Sequence, residues 1–536
     1  MDNQQPIYTD NLPRTLEYRP AGINMWDTWC IERAGVVHMF HLQSPALGST
    51  RPKEDLQWLG HAVTQDLLHW RERPLAIPPN TPGTLDDMQV WTGCVTEHEG
   101  LYYLYYTMRS TGDFGNGQQI GLATSPDLEH WSRYPGNPVI SPDPAYYVSH
   151  EKPLPAPNFI DQDRSKIKGT VDCRDLIIVP DAANKGWYGF YAARIWADEG
   201  PEQAVIAAVY SKDLLHWKSL PPAFVPRKYN CIEVPDVFFL NGKWYLTCLA
   251  AHGYGNRGVF SDPYCNFGTI YAVSDQPQGP YREFDADNVL IGSNDSSCGF
   301  SCRSVVFQGA RYEFFTQPFP NDSGMATLSP PYSLRTTPEG YLRLGYSDRT
   351  QGWRVSTLIQ PGTTPEITRL PCNHPQWVVQ GGTWRKEGRT YLGEARCGWQ
   401  LAYLPAAAVN LEVEASITLE KGVAAGLAFH PNSKDQAAWG DWVIALDAKE
   451  SWVFAARALE FEEMYRRKMV IEYGRSYRIR VCIRGSRFEV FIDDILILQF
   501  GIRKPIHPIS HEIGLFVDRA VCRIADLSAY SLEDAR

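Results

Sequence analysis

The fold class expected from the sequence is all-β: a five-bladed β-propeller followed by a C-terminal β-sandwich. Three observations lead there. A strand-and-turn unit recurs along the chain, an aromatic-rich strand precedes each copy, and near residue 370 the pattern gives way to strands of plain alternation. One supersecondary unit repeated at intervals of tens of residues is the signature of a solenoid or a propeller.

The unit is clearest in Gly60-His61-Ala62-Val63-Thr64-Gln65-Asp66-Leu67-Leu68-His69-Trp70. It recurs with the same ending at residues 121–131 and 207–217, and in weaker form from Tyr271-Ala272-Val273-Ser274-Asp275 to Gly279-Pro280-Tyr281. Each copy reads as an alternating strand, a turn led by Ser or Thr and Asp, and a Trp or Tyr that can pack between neighbouring sheets. The second strand type lies upstream, at residues 36–41, 101–106, 187–191, 243–246 and, for a fifth, 311–315. Five such strands predict five blades set around an axis, with the ends of the inner strands opening on one shared cavity. Pro, Gly and Thr punctuate residues 361–375, and the blade motif stops there, so the propeller is expected over 1–370 and the second domain over 371–536. In that second part, residues 410–415, 477–481 and 488–492 alternate apolar with polar, as strands with one wet face do, which predicts the sandwich.

Composition narrows the function classes. A chain of 536 residues exceeds one compact core and fits two domains. Its mean hydropathy of -0.32 comes without any apolar run near the roughly 20 residues of a spanning helix, so a soluble globular protein is expected. Residues 1–20 are polar and lack the basic start and apolar stretch of a secretory signal, which makes a cytoplasmic location the expectation. The 12 cysteines are scattered, which suits reduced thiols, and the nearest pair, Cys298 and Cys302, has no matching second pair; no metal or cofactor is expected. A net charge of -10 without a Lys/Arg run disfavours nucleic acid and anionic membrane as partners and suits a neutral substrate. Flat amphipathic rings, 17 Trp and 28 Tyr, suit sugar faces as well as ordinary cores. Oligomeric state is left open.

A shared cavity that cleaves glycosidic bonds needs one carboxylic acid to protonate the leaving oxygen and one carboxylate to attack or to activate water. Three acids stand beside the starts of blades. Asp27 lies in Trp26-Asp27-Thr28-Trp29, Asp175 in Cys173-Arg174-Asp175-Leu176, and Glu233 in Cys231-Ile232-Glu233-Val234-Pro235-Asp236. Each has an ordinary alternative as a turn residue or surface pair. Glu233 is the least ordinary, because an acid in apolar surroundings without an evident partner keeps its proton toward neutrality.

These segments resemble glycoside hydrolase family 32, the invertases, inulinases and levanases. Glu233-Val234-Pro235-Asp236 is similar to the family's acid/base segment, and Arg174-Asp175 to its Arg-Asp-Pro segment, with Leu176 in place of proline. Trp58-Leu59-Gly60-His61 resembles its Trp-Gly-His segment, Trp91-Thr92-Gly93-Cys94 its aromatic-Ser-Gly segment, and residues 484–492 and 512–517 its C-terminal domain, to which the resemblance assigns structural support. The nucleophile segment departs from the pattern, since both of the family's Asn side chains are absent around Asp27.

The resemblance implies a retaining β-fructofuranosidase acting on fructosyl oligosaccharides. Asp27 would be the nucleophile, Glu233 the acid/base, and Asp175, held ionised by Arg174, the transition-state stabiliser. Trp29, Gln43, Trp58, Trp91, Thr92, Arg174 and Arg303 would contact substrate, although a propeller Trp more often packs blades; His61 reads as structural, and His252 stays outside the catalytic set. The alternatives are an inverting arabinofuranosidase-like hydrolase and a non-catalytic carbohydrate-binding propeller.

Overall fold

The computed structural model describes residues 7–9, 15–51, 58–154, 170–196, 204–254, 256, 258, 260–261, 265–293, 299–318, 326–368, 382–432, 441–457, 462–501 and 509–534. They are strands and loops with short 3-10 turns, and among them no helix is long and apolar enough to cross a membrane. The chain divides into two compact units: Met1–Leu12, Glu17–Phe319 and Gly324–Arg343 in the first, and Pro13–Leu16, Pro320–Ser323 and Leu344–Arg536 in the second. The boundary expected at 370/371 lies within residues 369–381, outside the described residues, whereas the chain passes from the first unit to the second between Arg343 and Leu344.

The first unit is propeller-like. Four separate four-stranded antiparallel sheets follow one another: β1 (Ile23–Arg33), β2 (Val36–Pro45), β3 (Gly60–Thr64) and β4 (Arg71–Arg73); β5 (Gln89–His98), β6 (Leu101–Arg109), β7 (Gln119–Ser125) and β8 (Ser132–Arg133); β9 (Cys173–Asp181), β10 (Gly186–Arg194), β11 (Ala204–Ser211) and β12 (Trp217–Phe224); β13 (Glu233–Leu240), β14 (Lys243–Ala251), β15 (Phe267–Ser274) and β16 (Val289–Ser293). Among the described residues the separate four-stranded sheets thus number four where the repeats predict five blades. The strands that come next are β17 (Phe300–Phe307), β18 (Ala310–Pro318), β19 (Ala326–Leu328) and β20 (Tyr332–Thr336), with β18 pairing β17, β19 and β20.

The sequence repeat has a physical cause. In its first copy Thr64 Oγ donates to Asp66 Oδ1 at 2.9 Å and accepts the Leu67 N–H at 3.0 Å, while Asp66 Oδ1 accepts the N–H groups of Leu68 and His69 at 2.8 Å each. Ser125 with Asp127 and Ser211 with Asp213 repeat this turn, and Leu67, Leu128 and Leu214 take φ of 70°, 68° and 64° inside it. Side-chain oxygens here replace the backbone partners that a tight turn cannot supply. The aromatic residue after each turn then packs edge-on against the second strand of the preceding sheet: Trp131 on Phe40, Trp217 on Tyr105, Tyr281 on Phe190, and Trp70 on Phe314 of β18. The core of this unit is therefore a set of wedges between sheets, such as Tyr105, Leu122, Cys173, Tyr191 and Val205 between the second and third. The first strands adjoin in a closed circuit, β1 beside β5, β5 beside β9, β9 beside β13, β13 beside β17 and β17 beside β1.

The second unit is a β-sandwich built on two long strands, Leu411–Asn432 and Ser510–Leu532, which pair along most of their length. The expected alternation holds: Leu411, Val413, Ala415 and Ile417 enter one apolar core with Ile479, Val481, Phe488 and Val490. Glu412, between them on the other face, is buried but accepts hydrogen bonds from Tyr346 at 2.9 Å and from Arg354 and Arg480 at 2.6 Å each.

Candidate active site

One irregularity recurs near the start of all five first strands. β1 breaks register with β2 between Trp26 and Thr28, and β5 with β6 between Trp91 and Gly93. The same happens where β9 faces Phe190 to Ala192 of β10, in β13 between Glu233 and Asp236, and in β17 between Phe300 and Arg303. A bulge bends its strand and re-aims the side chains it carries. The residues in these bulges include Asp27, Thr92, Asp175, Val234 and Ser301, and four of them have left-handed φ: 49° at Asp27, 64° at Asp175, 48° at Val234 and 55° at Ser301. That conformation costs a non-glycine residue about 1–2 kcal/mol, and such strain clusters where side-chain placement serves a function.

The bulges bring the three acids into one hydrogen-bonded constellation. Thr92 Oγ donates to Asp27 Oδ2 at 2.9 Å, and Thr316 Oγ accepts the Asp27 N–H at 3.0 Å. The carbonyl of Thr92 accepts from Thr107 Oγ at 2.9 Å, and the same Thr107 oxygen accepts the Asp175 N–H at 3.1 Å. Asp175 Oδ2 in turn accepts the N–H of Val234 at 3.0 Å, next to Glu233. Arg174 closes the set, with Nη2 2.9 Å from Glu233 Oε1 and Nε 3.7 Å from Asp175 Oδ2. Three acids far apart in the chain therefore share one environment.

Charge follows from this packing. Burial pushes the Asp27 carboxyl up to about 6, the Glu233 charge adds to the rise, and Thr92 and Arg303 oppose it. Asp175 is raised as well, by burial first; the Arg174 cation opposes this, and the nearby Glu233 and Asp27 reinforce it. Glu233 is buried but not partnerless: the expectation of an acid without a counter-charge is corrected by its bond to Arg174. Buried carboxyls of perturbed proton affinity gathered in one cluster mark it as a candidate active site.

The other predicted residues separate into near and distant. Thr92 and Arg174 belong to the constellation itself. Arg303 lies against it, but its Nη groups donate to the carbonyls of Gly93 at 3.2 Å and Asp175 at 3.0 Å, so it fastens β17 to β5 and β9. Trp91 adjoins Thr92 and carries the Arg109 guanidinium 3.8 Å over its ring. Gln43 is buried on β2 opposite Met25, two residues before Asp27, and Trp58 is half-buried just before β3. Trp29 is different: it is buried, stacks on Phe40 and packs with Leu104 and Tyr106, so its indole belongs to the core rather than to a sugar platform. His61 stacks on Phe40 and hydrogen-bonds His38 at 3.0 Å, as a structural histidine. Cys298 lies outside the described residues, Cys302 is buried, and among the described residues no group of three or more His, Cys, Asp or Glu could hold a metal ion.

Sequence reasoning missed Thr107, Thr316 and Asp172. The first two had a signal, since each directly follows the aromatic run of a second strand, Tyr105-Tyr106-Thr107 and Phe314-Phe315-Thr316. Asp172, two residues before Arg174, stands 3.0 Å from it.

Comparison with known proteins adds an independent line. The model of the glycosyl hydrolases family 32 N-terminal domain matches residues 29–152, a span that holds Trp58, Trp91 and Thr92 but none of the three acids. A levanase of Bacillus sp. (strain L7) is 26% identical over 534 residues, covering 93% of this chain and 50% of that protein. Beta-fructofuranosidase 1 of Zea mays is 33% identical over 407 residues, 73% of this chain and 54% of that protein. The chain thus spans about half the length of these two curated relatives. Among solved structures, fructan 1-exohydrolase IIa of Cichorium intybus superposes with a TM-score of 0.68 at 16% identity over 98% of both chains, a likeness of fold.

Proposed function

The chain belongs to glycoside hydrolase family 32, and on that premise we propose that it is a retaining β-fructofuranosidase-like hydrolase of fructosyl oligosaccharides. The observation that carries the reading is the linkage of Asp27, Asp175 and Glu233 through Thr92, Thr107, Val234 and Arg174. A solved structure of the Cichorium enzyme is described as a complex with 1-kestose, and one of a Schwanniomyces occidentalis fructofuranosidase as a complex with fructosylnystose, which supports the substrate class.

In the first half-reaction Asp27 attacks the anomeric carbon, the bond to the leaving oxygen breaks, and Glu233 gives that oxygen its proton. A covalent fructosyl ester on Asp27 results. Water then attacks the same carbon, Glu233 takes up its proton, and Asp27 leaves as carboxylate, so two inversions give net retention. Thr92 fixes the attacking carboxylate in place of the absent amides. Asp175 binds ring hydroxyls more tightly as positive charge develops on the ring.

Further parts of the reading have support of their own. A fifth blade formed by β17 to β20 is supported by the closed circuit of first strands and by Trp70 against Phe314. Catalysis is assigned to the first unit, which ends at Arg343, with the second unit as a supporting sandwich. A cytoplasmic site of action is supported by the described cysteines, all free thiols.

The test is hydrolysis of sucrose and 1-kestose by the wild type and by Asp27→Asn and Glu233→Gln, with aqueous methanol as acceptor and carbon NMR of the products. Each variant should lose at least about 100-fold in kcat, and the wild type should yield methyl β-fructofuranoside. Undiminished activity in both variants rejects the site, and an inverted product rejects the double displacement.

A further inference from the structure

Both terminal nitrogens of the Arg174 guanidinium are engaged around the proposed acid/base. Nη2 donates to Glu233 Oε1 at 2.9 Å and to Cys231 Sγ at 3.2 Å. Nη1 donates to Gln118 Oε1 at 3.2 Å and stands 3.0 Å from Asp172 Oδ1. The second oxygen of Asp172 pairs with Arg194 Nε at 2.5 Å, and Arg194 Nη1 reaches Asn230 Oδ1 at 3.4 Å. A line of alternating charge, Arg194, Asp172, Arg174, Glu233, therefore runs from the end of β10 to the start of β13, and all four residues are buried.

Nothing in glycosidic cleavage requires the outer half of this line, so its cost calls for a reason. Burying an ion pair gives little net stability, because desolvation offsets the attraction. Burial works against the charge on Asp172, yet Arg174 and Arg194 outweigh it and hold the carboxyl below its ordinary range. The inner half poses a chemical problem: a guanidinium bonded to a carboxylate favours the ionised form, whereas a general acid must meet its substrate protonated. An anion on the far edge of Arg174 relieves that conflict.

We propose that Asp172, backed by Arg194, is a positioning residue that fixes the Arg174 guanidinium edge-on to Glu233 and offsets its charge, so that Glu233 can hold its proton for the leaving group. The inference rests on the reading of Glu233 as acid/base. The other charged or titratable groups around Glu233 are Asp175 of β9, Asp27 of β1 and Cys231 of its own segment, with Arg303 of β17 beside Asp27 and Asp175. Asp172 stands instead at the Nη1 edge, 3.0 Å away.

The experiment is the pH profile of kcat/KM for 1-kestose hydrolysis in the wild type, Asp172→Asn and Arg194→Gln, with thermal melts to verify folding. Removing the Asp172 charge leaves two cations near Glu233 and should move the alkaline limb down by about 1 pH unit, the lower end of what an adjacent charge does. Removing the Arg194 charge should move the same limb up, by a smaller amount because it stands one residue farther out. Opposite displacements support the proposal. A purely structural role lowers the rate in both variants and leaves the limb in place, and that result overturns it. Should Asp172→Asn fail to fold, Arg194→Gln decides alone, and a limb that stays or moves down is the overturning result. Glu233→Gln separates the two readings: wild-type activity there sinks the acid/base assignment, whereas activity lost there with unmoved limbs elsewhere sinks only the role of Asp172.

Discussion

Replacing Asp27 by Asn should stabilise the protein at neutral and alkaline pH while abolishing its proposed activity. Burial raises this carboxyl from its ordinary 3.8 to about 6. Between those values the folded protein holds a proton that the unfolded chain has released. The stability this linkage brings is fully present below about pH 3.8 and is lost as the pH rises through about 6. Above about pH 7 the ionised carboxylate therefore costs the fold about 3 kcal/mol, at about 1.36 kcal/mol per tenfold difference in proton affinity. Asn has the same shape, keeps an oxygen to accept from Thr92, and carries no charge. The first unit has about 340 residues, and with an unfolding entropy of about 2.1 cal/mol/K per residue the relief amounts to about 4 °C in Tm. Thermal melts followed by tryptophan fluorescence from about pH 4 to 8 measure it. The variant should melt about 4 °C above the wild type at pH 8, with the gap closing toward pH 4. No gap at pH 8, or an equal gap at both ends, refutes the assignment of the shift to burial of the charge.

Further outcomes follow from the same geometry. Thr107→Val keeps the shape but leaves the Asp175 N–H and the Thr92 carbonyl without their shared hydroxyl; about 1–3 kcal/mol of stability should go, together with kcat, as read by urea midpoints and initial rates on 1-kestose. Glu412 has the opposite linkage to Asp27: burial alone would raise it, but Arg354 and Arg480 outweigh that and hold it below its ordinary 4.5. Its contribution is present above about pH 4.5 and is lost as pH falls through the depressed value. Glu412→Gln should thus cost the second unit about 3–5 kcal/mol at pH 7, with the difference shrinking in acid; denaturant midpoints against pH decide it.

Much of the first unit was legible because its repeat is a local device. The Ser/Thr and Asp of each turn accept from N–H groups two or three residues on, so the spacing that makes the turn work is printed in the chain. The aromatic residue after the turn was legible for the same reason, although its partners Phe40, Tyr105, Phe190 and Phe314 were not. Trp29 shows the limit, since an aromatic residue two positions from an acid reads equally as sugar platform or as core. Only the stack on Phe40 chooses between them.

By itself the sequence determined the all-β class, the repeating turn, the alternating strands of the sandwich and the three acids at strand starts. Each of these depends on residues within a few positions of one another, where chain geometry alone fixes the relation. The tertiary structure decided which groups answer those acids: Thr92 for Asp27, Thr107 for Asp175, Arg174 for Glu233, and Asp172 behind Arg174. Proton affinity in a buried site is set by solvent exclusion and by charges a few ångströms away through space. Neighbours of that kind come from different sheets, and no spacing along the chain encodes them.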